Sequence, residues 1–61
     1  IEVTLRSSEG QKLLFVLNTL ETPTMVRGMP SGFDLLSGRA VSREEELEAY
    51  GCLIIDLDWT P

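Results

Sequence analysis

Histidine is absent from the 61 residues, and cysteine occurs once, as Cys52. The missing histidine removes the commonest zinc ligand and the usual general base, which excludes a zinc finger and any histidine-based triad. One cysteine forms no internal disulfide, so a knottin-like scaffold is excluded too. Basic residues are scarce: five Lys and Arg stand against ten Asp and Glu, for a net charge of −5. Nucleic-acid binding draws most of its affinity from cations that neutralise phosphates, and an acidic chain works against it. There is no basic cluster to meet an anionic membrane surface. The longest apolar runs, 13–17 and 52–55, fall far short of the roughly 20 residues that span a bilayer. Neither nucleic acid nor membrane is expected as a partner.

What remains is a chain that is 43% hydrophobic, a composition that belongs to a folded domain rather than a disordered tail. The length sets one domain, 1–61. A domain of this size buries only about 60% of the surface its unfolded chain exposes. Small domains compensate with disulfides, a metal or a partner surface, and the composition leaves the partner surface. The chain opens on Ile1 with no signal peptide in view, and reads as a segment of a longer polypeptide.

Hydrophobic spacing predicts strands. Ile1, Val3 and Leu5 alternate with Glu2, Thr4 and Arg6, the period of a half-buried strand. Ser7-Ser8-Glu9-Gly10 breaks the pattern as a turn, with Gly10 free to take a positive φ. Over 11–18, Leu13, Phe15 and Leu17 lie on one face and Leu14 and Val16 on the other, which predicts a central strand covered on both sides. The two strands form an antiparallel hairpin. Pro23 opens an edge strand over 24–27, and Gly28-Met29-Pro30-Ser31-Gly32 is a loop. Strands over 33–36 and 39–41 flank Ser37-Gly38, which fits a two-residue hairpin turn. The final strand spans 50–58, with Leu53, Ile55 and Leu57 on one face and Cys52, Ile54 and Asp56 on the other.

The segment between these last strands supports two readings. Ser42-Arg43-Glu44-Glu45 has the capping-box spacing of a helix start. Such a helix would end at Gly51 after about two turns, which is marginal. Glu46-Leu47-Glu48-Ala49 alternates equally well as a strand, and its neighbours are all β. The expected fold is an all-β antiparallel sandwich, Greek-key-like, of five to six short strands, hiding one face against a second sheet or another domain.

The order of these features resembles the small C-terminal β domain of family 42 glycoside hydrolases, which are bacterial β-galactosidases. Glu2-Val3-Thr4-Leu5-Arg6 is similar to that domain's opening strand, and Leu13-Leu14-Phe15-Val16-Leu17-Asn18 to its apolar strand closing on asparagine. Glu21-Thr22-Pro23 with Val26 fits the connection and third strand, and Asp34-Leu35-Leu36-Ser37-Gly38 resembles its hairpin. Ala49-Tyr50-Gly51, followed by 52–57, resembles its last strand. Similar strands also occur in β domains that close α-amylase-type enzymes, the alternative parent. The resemblance implies a cytoplasmic enzyme whose TIM barrel carries two glutamates that hydrolyse terminal β-galactosides with retention. It also implies a second domain that builds a trimer, and this small domain at the end. The partners would be the upstream domains of the same chain and, through the parent, galactosides. No catalytic position falls in the segment, and no cofactor is implied.

The candidate chemistry within the 61 residues is thin. Retaining glycosidases need two carboxyl groups about 5–5.5 Å apart. Asp56 and Asp58, at i and i+2 on a strand, would share a face at roughly 7 Å, and they read instead as a solvated edge. Glu44, Glu45, Glu46 and Glu48 lack EF-hand spacing and diverge to opposite faces of a strand, so no metal site is expected. Cys52 has no base beside it and reads as a buried small hydrophobe, in keeping with a reducing cytoplasm. Sugar-binding modules stack pyranose rings on exposed aromatic faces. Tyr50 and Trp59 are the candidates for such a sugar contact or for an interdomain contact, with Asn18 and Asp34 as polar partners. Asn18 otherwise serves as a strand-end residue that hydrogen-bonds its own loop.

Overall fold

A computed structural model describes residues 1–59. Thr60 and Pro61, the end of the expected 1–61 domain, lie outside the described residues. The fold is all-β, as the spacing predicts, and has seven strands: β1 (Glu2–Ser8), β2 (Gln11–Leu17), β3 (Thr24–Arg27), β4 (Gly32–Asp34), β5 (Arg39–Val41), β6 (Glu44–Leu47) and β7 (Cys52–Asp56). The number exceeds the expected five to six because the ambiguous segment forms β6 and the three-residue strands β4 and β5 both pair.

Two antiparallel sheets result. One has five strands in the order β1-β2-β7-β4-β5, and the other pairs β3 with β6. The last strand in sequence thus sits at the centre of the large sheet, joining the β1-β2 hairpin to the β4-β5 hairpin. Its alternation explains why. Leu53 and Ile55 point inward at 5% and 0% exposure, where they meet Val16, Val41, Leu47 and Met29 in one core. Fully burying such a side chain contributes about 1.5–3 kcal/mol, and no crosslink supplements it.

The first hairpin turns through Glu9 and Gly10, both at positive φ (49° and 80°), the pattern of a two-residue type I′ turn. The second hairpin departs from expectation. Asp34 pairs with Arg39, so four residues, 35–38, separate its strands rather than Ser37-Gly38 alone. The Asp34 carboxylate accepts hydrogen bonds from the Leu36 and Ser37 amides and draws the chain into a turn before Gly38, at φ 73°, returns it to β5.

Three other expectations need correction. Strand β7 begins at Cys52 rather than Tyr50 and ends at Asp56 rather than Asp58. Tyr50 takes a positive φ of 58°, which no strand accommodates, and Asp58 lies in a turn. Cys52 is exposed, not buried. Strand β2 is central but covered on one side only: Val16 is buried, while Phe15 and Leu17 remain 36% and 38% exposed. On β1, Val3 and Leu5 share the inner face with Val16 and Leu14 through the register, yet both stay exposed. The two-stranded sheet is too narrow to cover them.

Gly32 tests the packing of this core most directly. A Cβ there would meet Ile55 Cγ2 and the backbone oxygen of Asp56 at 2.7 Å, and backbone in a paired strand has no room to give. Gly32→Ala should therefore destabilise the domain by about 1–3 kcal/mol, read as a lower urea midpoint at unchanged slope. The same change at Gly10, whose Cβ would meet nothing, should act only through its positive φ and cost about 1 kcal/mol.

Candidate functional site

Among the described residues two polar side chains lie in the buried interior, Asn18 and Asp34, at 0% and 1% exposure. Asn18 follows the end of β2. Its carboxamide nitrogen donates to the carbonyls of Thr22 (3.0 Å) and Glu48 (2.9 Å), with Leu47 at 3.4 Å, and its oxygen accepts from the Leu20 amide at 3.0 Å. Its own amide donates to the Gly51 carbonyl at 2.8 Å. The strand-end role predicted for this residue is what it performs, and it also reaches across to the chain leaving β6.

Asp34 ends β4. One carboxylate oxygen accepts from the amides of Leu36 (3.2 Å) and Ile54 (3.1 Å), and the other from the Ser37 amide (3.1 Å). Burial raises its pKa, but the Ser37 side chain and the Ile54, Leu36 and Ser37 amides together outweigh that and hold it below 3.8. Every buried side-chain nitrogen and oxygen among the described residues has a partner. Asn18 and Asp34 therefore spend their hydrogen bonds on main-chain groups of the domain itself.

Four further carboxylates also serve the fold. Asp56 accepts from the Asp58 amide (3.0 Å), and Asp58 accepts from the Lys12 amide (2.9 Å), which fastens the end of β7 to β2. Glu44 pairs with Arg27 at 3.2 Å and Glu45 with Arg39 at 2.8 Å. Among the described residues no group of three potential ligands is placed to hold a metal ion.

The two aromatic candidates are not brought together. Tyr50 precedes β7 and is 62% exposed, with its amide bonded to the Leu20 carbonyl. Trp59 follows β7, is half-buried, and packs on Phe33 with ring centroids 5.3 Å apart at 38°. Five strand residues, about 17 Å, lie between them, so they form no common stacking platform.

What the strands do assemble is an apolar face. On the side of the large sheet away from the core, the register aligns three rows. Leu17 sits beside Cys52, Phe15 lies between Thr4 and Ile54, and Leu13 and Phe33 flank Asp56. Charge enters at the margins, through Glu2 and Arg6 on the edge strand and Asp56 in the end row. Shallow apolar depressions on this face are lined by Thr4, Phe15, Leu17 and Ile54. The signal for it was present in β2, which is apolar on both faces as a doubly covered strand would be.

Because the folded Asp34 carboxyl titrates below its unfolded value, its ionic hydrogen bonds stabilise the domain fully above pH 4 or so and fade as pH falls through the lower, folded pKa. Asp34→Asn should lower stability at pH 7 by about 1–3 kcal/mol. The gap between the variant and the parent sequence should close as urea titrations move below pH 4.

The saturated interior, the Asp34 turn and the strand order of this small sandwich can be set beside known proteins. No curated protein and no solved structure matches the chain. The family model of the β-galactosidase C-terminal domain matches residues 1–57, which takes in all seven strands. On that match the chain belongs to the β-galactosidase C-terminal domain family of the glycoside hydrolases.

Proposed function

We propose that this chain is a non-catalytic accessory domain of a β-galactosidase that packs on the enzyme body and stabilises it. In this reading the parent releases terminal non-reducing β-D-galactose from β-galactosides with carboxylates that lie outside the 61 residues. One observation carries the proposal. The buried polar side chains hydrogen-bond main-chain groups of the domain itself, whereas the outer face of the large sheet presents Leu13, Phe15, Leu17 and Ile54, which no strand among the described residues covers. A domain with its chemistry committed to its own turns and its apolar surface uncovered is suited to contact, not turnover. The family match supports a β-galactosidase parent over an α-amylase-type one. A lone exposed thiol, Cys52, suits a reducing, cytoplasmic setting.

A second reading, carbohydrate binding, draws on Tyr50, whose ring is exposed and whose backbone holds a positive φ. Two measurements separate the readings. The domain alone should turn over no chromogenic β-galactoside. Removing it from the parent should lower the thermal midpoint of the enzyme while leaving the pH profile of hydrolysis unchanged. An unaltered midpoint would refute the stabilising role. Saturable amide shifts around Tyr50 on titration with galactose or lactose would favour the second reading.

A further inference from the structure

We infer that the open face of the five-stranded sheet is the surface that docks on the preceding body of the same β-galactosidase chain, an inference that rests on the accessory-domain reading above. The two outward faces of the molecule differ in kind. The small sheet turns Met25, Arg27, Glu44 and Glu46 outward, with Arg27 and Glu44 paired at its surface, which is a face made for water. The large sheet turns Leu13, Phe15, Leu17, Ile54 and Phe33 outward. Its charges, Glu2 and Arg6 on the edge strand and Asp56 in the end row of β7, leave the middle row of Phe15 and Ile54 uncharged, and an aromatic centre bounded by charge is the mark of an interface core.

The size of the face selects its occupant. Five strands about 4.8 Å apart, paired over about 17 Å, present on the order of 400 Å², or about 800 Å² counting both sides of a contact. Contacts between domains of one chain run from about 600 to 1,500 Å². Stable complexes between separate chains need about 1,200–2,000 Å². A second copy docked through this face alone would fall short. A covalently tethered body does not, because the tether holds it at an effective concentration in the millimolar range. The net charge of −5 also sets two copies against each other.

The test is thiol alkylation in the full-length enzyme, resolved by peptide mass, because the face carries its own reporter. Cys52 is exposed in this domain and lies in the row with Leu17. Thr4→Cys adds a second position on the same face, and Met25→Cys one on the opposite sheet. Docking as inferred should slow alkylation of Cys52 and of Thr4→Cys by about tenfold or more relative to Met25→Cys. Protection of Met25→Cys with free labelling at the other two would overturn the assignment of the face and leave the accessory role standing. Rapid labelling at all three would remove the accessory role itself, and protection at all three would exclude a single docking face. Disulfide or bis-maleimide cross-links between isotopically heavy and light chains through Thr4→Cys would assign the face to a second copy instead. Should either variant fail to fold, Cys52 in the unaltered enzyme, compared before and after urea unfolding, gives the readout alone.

Discussion

The carboxamide of Asn18 holds together parts of the chain that hydrophobic packing alone would leave free to slide. It stands where β2 ends and bonds at once to its own loop and to the backbone leaving β6, so one side chain ties the large sheet to the small one. Apolar contacts are non-directional and tolerate small shifts between sheets. A buried amide with its donors and acceptor all engaged does not, because any displacement strands a polar group in the core. In a domain without a disulfide this specificity has to come from such a group. Asp34 performs the matching task at the other hairpin, where its carboxylate replaces ladder bonds and fixes the turn.

Much of this was legible in the residues. The alternation in β1 and β7, and the Glu9-Gly10 turn, follow from local sterics that the sequence states directly. The hairpin after β4 is longer than Ser37-Gly38 suggests, because a glycine after a serine signals a turn but not its length. The length is set by how many amides the Asp34 side chain collects, which depends on Ile54, 20 residues away. The exposure of Cys52 departs from expectation for a related reason. An apolar run such as 52–55 fixes which side chains alternate, but not which of the two faces finds a cover.

The open face follows from the same ambiguity. Strand β2 carries the sequence of a strand buried on both sides, and the domain supplies a cover for one. Leu13, Phe15 and Leu17 have the chemistry of a core, yet no strand among the described residues covers their face. The domain's polar residues complete its own fold and its apolar residues exceed what that fold can bury, which is the division expected of a module in a larger enzyme.

The position of β7 has a kinetic consequence. Both hairpins of the large sheet are local and can close within microseconds once their residues exist, but Leu17 must wait for Cys52 to find its partner. The keystone strand is the last of the seven to be synthesised, and at synthesis rates of about 5–20 residues per second the nascent hairpins stand unsealed for seconds beforehand. During that interval the facing edges of β2 and β4 have no strand to pair with. Vectorial synthesis therefore makes this module complete its sheet in a single late event, with non-local strand closure rather than hairpin formation setting the pace.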